Sequence, residues 1–524
     1  MASKPWIGAI VAPDDPPQAN PSKPDCSYEL EYVYGYRSQD SRQNVFFNSE
    51  KKAVYMTACL GVILDHESNT QKFFGGGEVN DERRGEQNDQ TMHNDDILGL
   101  EISPDRTFAV SCQRGPKPTC FSWDARSGEM KNRFTLPKGS RGINCVSISA
   151  CGSYMACVDQ TNDHNLYVFE LSSGSQVYKH AGGAHKIYDC AFDRRPGSTT
   201  LSTCGTKHIK FWETIGQDKQ NNGILDGNPM TSHSVVCFDE EGIAYSGAHN
   251  GQVYKWEERK CVGTFTGAKS GFVSAIRALD GKLYAGGKCG TVTCFSIPDM
   301  AVETTVQFDS MIRAIDCLDG AMLIGTRNGS IYHCNQGSRK EIMSSHHDGE
   351  VWGLDHQGDK VITSGDDNQV ICWDTTKRCK TSKVIVSDEK RSSKKGKAST
   401  LSHMPASQCS RAVIFCENGG VIVAANDGRV HIWDKCTDTA PSKTLDDAEE
   451  WIECMSLSPN KDKLAVGSHD NSIYIYSTAD WTLLGKLSKH TSYIMALDWC
   501  AHGKFIRSNC GAYELLFFDV DTFS

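Results

Sequence analysis

One pattern recurs along most of this chain at a spacing of about 40 residues, and it restricts the fold more than any other feature. Each copy has a short alternating strand, a Gly, Asn or Asp turn, and a second strand closing on an aromatic residue, often followed by Asp or Glu. The clearest copies end at Phe121-Ser-Trp123-Asp124, Lys210-Phe211-Trp212-Glu213, Tyr254-Lys-Trp256-Glu257, Ile371-Cys-Trp373-Asp374 and His431-Ile-Trp433-Asp434. Weaker copies end at Val168-Phe169-Glu170, Cys294-Phe295-Ser296, Tyr332-His333-Cys334, Ile475-Tyr476-Ser477 and Phe517-Phe518-Asp519. Successive copies lie 38 to 46 residues apart, apart from one gap of 60 between Asp374 and Asp434.

The segments alternate with period two and are rich in β-branched and aromatic residues, so they read as strands and not as the helices of a solenoid. A unit of about 40–45 residues with four strands is the blade of a β-propeller. Asn250-Gly251, Cys289-Gly290, Asn328-Gly329, Asp367-Asn368, Asn426-Asp427-Gly428 and Asp470-Asn471 precede closing strands. Gly, Asn and Asp reach positive φ at low cost, which a two-residue hairpin turn requires. A weaker unit at 45–74 brings the total to about eleven. A single ring normally holds about four to eight blades, so eleven units predict an all-β chain of two tandem WD40-type propellers. The expected division is a first propeller of about seven blades over 45–340 and a second of about four over 341–524. The second is expected to be incomplete in this chain or closed by another segment. Trp123, Trp212, Trp256, Trp373 and Trp433 are the expected blade-closing residues.

Three stretches fall outside the repeat. Residues 1–27 form a Pro-rich arm with Pro5, Pro13, Pro16, Pro17, Pro21 and Pro24, extended and without a core of its own. Residues 77–92 are polar and aperiodic, and read as a loop between blades. The long gap holds a basic insertion, 376–408. Its 376–397 part carries Lys377, Arg378, Lys380, Lys383, Lys390, Arg391, Lys394, Lys395 and Lys397 against Asp388 and Glu389. In a chain of net charge -10 this is the best candidate for gripping an acidic surface. Ser392 and Ser393 lie among these cations, where phosphorylation would remove much of the positive charge.

The acidic balance argues against a general nucleic-acid partner, which needs a basic face. No apolar run approaches the ~20 residues of a membrane helix, so no membrane partner is expected. The start, Met1-Ala-Ser-Lys-Pro-Trp, lacks the apolar core of a secretory leader. The 23 cysteines are odd in number and contain no Cys-x-x-Cys pair, which favours buried free thiols over a disulfide framework or zinc ribbon. Phosphate-loop, nucleophile-elbow and His-Glu-x-x-His motifs are absent, so no cofactor, metal or catalytic residue is expected. His346-His347 with Asp348 offers metal-ligand chemistry. A His at the start of a blade more often hydrogen-bonds within it, here His347 with Asp367 and Trp373. His185 and His490 occupy similar positions.

Residues Tyr28-Glu-Leu-Glu-Tyr-Val-Tyr-Gly-Tyr-Arg37, followed by Asp40-Ser-Arg42-Gln-Asn44-Val45, precede the first blade. They resemble the hydrophobic motif of the echinoderm microtubule-associated protein-like (EMAP-like) family. The end, Gly511-Ala-Tyr-Glu-Leu-Leu-Phe-Phe-Asp519, is similar to that family's Tyr-Glu-Leu-Leu-aromatic-aromatic-Asp blade ending. The resemblance implies tandem atypical propellers with the motif, residues 28–44, at their junction. Leu30, Tyr32, Val33, Tyr34 and Tyr36 would then be core residues. It also implies microtubule binding and, for some members, a place in ciliary or flagellar axonemes. This chain departs from the family in having neither its N-terminal coiled coil nor the accompanying basic stretch, and in stopping about two blades earlier. The expected function is a non-enzymatic microtubule-associated scaffold of the cytoplasm and cytoskeleton. Its partners would be tubulin and neighbouring axonemal or cytoskeletal proteins. The alternative is a propeller hub that captures peptides for a signalling or ubiquitin-ligase complex.

Overall fold

A computed structural model describes residues 15, 18–22, 25–77, 91–137, 139–216, 218–346, 348–386 and 410–524. The chain is all-β: the described residues form eleven antiparallel sheets, ten of four strands and one of three. Among the described residues no helix is long and apolar enough to cross a membrane. The polar stretch at 78–90, His347, and residues 387–409 of the basic insertion lie outside the described residues.

Local chemistry explains the sheets. The hairpin turns use the residues suited to them: Gly251 and Gly428 take φ of 83° and 84°, while Asn368 and Asn471 take 60° and 67°. The second strands of most sheets are largely buried, as in Ala244–Ala248 and Val421–Ala425. The third strands bring in the aromatic residues. Trp123, Trp212 and Trp256 are completely buried, and Trp373 and Trp433 nearly so. Four of these indoles donate to a hydroxyl on the neighbouring second strand: Trp123 to Ser111 (3.0 Å), Trp212 to Thr203 (2.8 Å), Trp256 to Ser246 (2.8 Å) and Trp373 to Thr363 (2.9 Å). Trp433 has no such acceptor, because Val421–Ala425 carries no hydroxyl, and its indole N–H is buried unpaired.

Imidazoles complete some of these pins. His93 lies 2.7 Å from Ser111 and His233 lies 3.0 Å from Ser246, each sharing its hydroxyl with the blade's tryptophan. His490 meets Ser508 at 2.7 Å in a blade where Phe518 takes the aromatic place. His185 is exposed.

The chain divides into two compact units, one of Leu30–His347 and one of Asp348–Ser524 with Met1–Glu29. The first unit contains seven sheets, at 45–74, 97–135, 143–180, 187–222, 233–266, 273–307 and 312–343. Seven apolar cores lie between them. Six join consecutive sheets, such as the Phe46, Ile63, Leu100 and Trp123 core between the first and second. The seventh joins the last sheet to the first through Val45, Tyr55, Leu64, Ala314, Leu323 and Met343, and closes the ring. The second unit contains sheets at 351–385, 410–445, 452–487 and 494–519, with three cores between consecutive sheets.

A charged clasp sits at the closure. Asp316, on strand Ile312–Leu318 of the seventh sheet, is fully buried. It accepts the Phe47 backbone N–H of the first sheet (2.8 Å) and the Arg106 guanidinium of the second (2.6 and 3.2 Å). Arg106 also donates to the Phe47 carbonyl (2.8 Å). Arg277 of the sixth sheet lies 3.4 Å from both Asp316 and Glu101. One carboxylate therefore binds four sheets together.

Removing one partner of a buried ion network leaves the others desolvated and uncompensated. Asp316→Ala is expected to destabilise the first unit by about 3–5 kcal/mol in chemical denaturation. A second expectation concerns pH. Burial depresses His93 and His233 to about 4 from an ordinary 6.5. Between those values the unfolded chain binds more protons than the folded one. This contribution is full above 6.5 and is lost as pH falls towards 4. Thermal melts across that window should show falling stability, with a shallower slope in His93→Gln/His233→Gln.

Candidate functional site

Two features outside the blade pattern carry the functional interest: the segment before the first blade, and the basic stretch after the eighth. The first runs through the middle of the first ring. Ser41 donates to the Leu98 carbonyl (2.9 Å) and Arg42 to that of Ser234 (3.0 Å). Gln43 donates from its amide side chain to the Ile276 carbonyl (2.6 Å) and from its backbone to that of Arg313 (2.9 Å). Gln43 also accepts the Ile315 N–H (3.2 Å). These partners lie on the innermost strands of four sheets, so residues 41–43 strap the central channel. Gln43 adopts φ of 47°, a left-handed conformation that this set of bonds holds in place. Arg37 anchors one end through Asp40 (2.7 Å) and Asp96 (3.0 Å).

A cavity of about 140 Å³ remains beside the strap, with Arg42, Asn144, Lys186, Tyr188 and Asp189 in its lining. Burial pushes the Asp189 carboxyl up to about 7, although the Val236 and Cys190 N–H groups and Arg42 favour its charged form.

The hydrophobic motif leads into this strap. Tyr36 is buried in the ring-closing core and donates its hydroxyl to Asn44 (2.7 Å). Gly325 makes room for it, since a Cβ there would collide with the Tyr36 hydroxyl. Tyr32, Val33 and Tyr34 are half-buried; Tyr32 donates to Asn69 (2.9 Å), and Val33 pairs with Gln71. Leu30 is 39% exposed. Tyr36 is thus a core residue and Tyr32, Val33 and Tyr34 are partly buried, whereas Leu30, expected in the core, lies at the surface. Tyr36 reaches into the core between the last and first sheets and Tyr32 packs against its edge, whereas Leu30 lies over Gly76. Sequence reading took residues 38–44 as an extension of the motif and missed their place in the channel. The only available signal was a polar run, Ser38 to Asn44, set between apolar ones.

The basic stretch does not begin as a loop. Cys379–Ile385 is the outermost strand of the eighth sheet and pairs with Gln369–Asp374. Lys380 and Lys383 lie on this strand, Arg378 occupies the turn before it with φ of 54°, and Lys377 lies 3.6 Å from Asp374. Lys377 and Lys383 are exposed, and Arg378 and Lys380 partly so. The alternation of the strand explains this, because Val384 packs inward while Lys383 points out. Lys390, Arg391, Lys394, Lys395 and Lys397 lie outside the described residues.

Metal-capable groups converge in one place among the described residues: His490, Cys510 and Glu514 offer ligand atoms within 4.8 Å of one another. Hydrogen bonds already engage all three. Glu514 accepts from the Thr491 backbone (2.9 Å), the Thr491 hydroxyl (2.8 Å) and Cys510 (3.1 Å), which hold its carboxyl down at about 2. The cluster is the eleventh blade's version of the histidine pin, with Glu514 as the turn carboxylate. The described cysteines are all free thiols, and most are buried.

Gly325→Ala is expected to displace the Tyr36 ring, cost about 1–3 kcal/mol and loosen the strap. Limited trypsin digestion followed by mass spectrometry should detect faster cleavage after Arg37 and Arg42.

Comparison with known proteins places this geometry in a family. A HELP motif model matches residues 23–62. Models described as the echinoderm microtubule-associated protein first and second beta-propellers match 86–319 and 351–524. The ciliary WD repeat-containing protein ctxp80 of Euplotoides octocarinatus is 43% identical over 536 residues, covering 100% of this chain and 74% of that protein. Echinoderm microtubule-associated protein-like 1 of Rattus norvegicus is 28% identical, covering 95% of this chain and 60% of its own length. Echinoderm microtubule-associated protein-like 2 of Homo sapiens is 28% identical, covering 95% and 75%. With its hydrophobic motif, its closed seven-sheet ring and its second run of blades, the chain belongs to the echinoderm microtubule-associated protein-like WD-repeat family.

Proposed function

We propose that this chain is a non-enzymatic scaffold that binds microtubules, within the cytoskeleton of a cilium or flagellum. The observation that carries the reading is the end-to-end match, at 43% identity, to a protein named for the cilium, alongside relatives named for microtubule association. The architecture suits the task. A closed ring with a strapped channel is a stiff body, and stiffness lets a scaffold hold partners at fixed spacing.

Tubulin is acidic and the chain itself carries -10, so local cationic surface has to supply the attraction. Lys383 on an outer strand and Lys377 in the turn before it present such a surface, and the residues following Val386 add further cations. Neighbouring axonemal or cytoskeletal proteins would occupy other faces and loops.

The test is co-sedimentation with assembled microtubules over a salt series. The strand Cys379–Ile385 is part of the eighth sheet, so deletion must spare it. Suitable variants are a deletion of 387–409 and Lys377→Glu/Lys383→Glu. The full chain is expected to pellet at low salt and to release as salt shortens the screening length to below ~8 Å. Both variants should release at lower salt. Failure of the full chain to pellet at any salt would remove direct tubulin binding, and equal pelleting by all three would move the contact elsewhere on the propellers.

A further inference from the structure

We propose that the second unit binds an extended, arginine-bearing peptide segment of a partner protein across an aromatic ladder on the inner ends of its blades. The ladder runs through all four sheets. Trp352 is the second residue of the eighth sheet's inner strand, Val351–Gln357. The Arg411 guanidinium lies 3.9 Å from its ring and 5.3 Å from that of Trp451. Trp451 stands 5.1 Å from His469, and His469 stacks on Tyr493 at 4.6 Å. The order is thus Trp, Arg, Trp, His, Tyr, with the Arg411 guanidinium between the two indoles.

The two ends of the ladder are open. Trp352 is 45% exposed and Tyr493 40%. Internal bonds fix two of the rings: the Trp352 indole donates to Asp366 (2.9 Å), and His469 lies 3.2 Å from Glu453, with Tyr493 stacked on it. The rings are therefore held in place before anything binds, which lowers the entropy lost on association.

The first unit shows what such a ladder receives. At the matching positions of its sheets stand Tyr188, His249 and Phe272, with ring separations of 5.9 and 5.3 Å. Tyr188 is the second residue of an inner strand, like Trp352. His249 and His469 each follow the end of a second strand, and Phe272 and Tyr493 each precede an inner strand. An extended segment crosses the first ladder: Arg42 of the strap lies 5.6 Å from the Tyr188 ring while its guanidinium donates to the Ser234 carbonyl.

Charge selects the same chemistry. Glu350 and Glu449 are exposed beside the ladder, and Glu450, Glu453 and Asp470 are partly so. An acidic rim around aromatic faces attracts a cation and offers it stacking. Guanidinium gains more there than ammonium, since it is planar, more weakly hydrated and stacks on rings. The occupant is therefore an arginine-bearing segment and differs from tubulin's acidic surface, so this site is independent of the microtubule reading.

The probe is a short fluorescent peptide of alternating Arg, Gly and Ser, with its Lys counterpart, titrated into the full-length chain by fluorescence anisotropy. Saturable one-to-one binding is expected, several-fold tighter for Arg than for Lys. Trp352→Ala and Tyr493→Ala should each raise Kd by about tenfold. Glu449→Gln/Glu450→Gln, a surface change that leaves the ladder intact, should weaken binding and reduce its salt dependence. Thermal melts and microtubule pelleting of these variants should match those of the unaltered chain. Equal affinity for Arg and Lys, or indifference to Trp352→Ala and Tyr493→Ala, would reduce the effect to diffuse charge and overturn the site. No saturable binding would overturn it outright. Self-association of the chain, abolished by Trp352→Ala in sedimentation velocity, would make the occupant a second copy and overturn the assignment to a partner.

Discussion

The first unit depends on closing its ring, and closure depends on Asp316. A single four-stranded blade has two apolar faces and cannot bury both alone. Each sheet therefore needs a neighbour on either side, and the seventh must find the first, as where Phe47 meets Asp316 across 269 positions. The apolar core around Val45, Tyr55 and Leu323 supplies the area. The Asp316 carboxylate supplies direction: it accepts the Phe47 N–H and binds Arg106, while Arg106 in turn donates to the Phe47 carbonyl. Apolar burial is non-directional, so hydrogen-bonded charge of this kind is what distinguishes one register from its neighbours.

Closure then creates the channel, and the channel creates the demand for a strap. Inner strands converge on an axis where their carbonyls have no sheet partner. Residues 41–43 meet those carbonyls with side-chain and backbone donors. The strap is held by the ring and also helps hold it, because its bonds reach inner strands of four different sheets.

The second unit follows the same blade chemistry with a different outcome at its ends. Its described sheets share three cores, and its outer members present apolar residues to solvent. Leu354 is 69% exposed on the eighth sheet, and Leu515 and Phe517 are 60% and 68% exposed on the eleventh. Faces of this kind lie against a neighbouring sheet throughout the first unit.

The blades were legible in the sequence because their determinants are local. Period-two alternation, a turn residue able to take positive φ and a closing Trp all fall within about 40 residues, so Trp123, Trp212, Trp256, Trp373 and Trp433 stand out from the sequence as candidate blade-closing residues. The resemblance carried by Tyr28 to Val45 pointed to the family for the same reason. What only the tertiary structure decided were pairings between residues far apart in the chain. Asp316 meets Arg106 across 210 positions and Gln43 meets Ile276 across 233. Lys380 and Lys383 belong to a strand because of what they pair with, although their composition reads as loop. The Trp352 to Tyr493 ladder draws its members from four separate blades, each an ordinary residue in its own repeat. Local sequence specifies each blade, but which side chains face one another across the axis is settled only when the blades pack, because that depends on sheet register and twist summed over the whole unit.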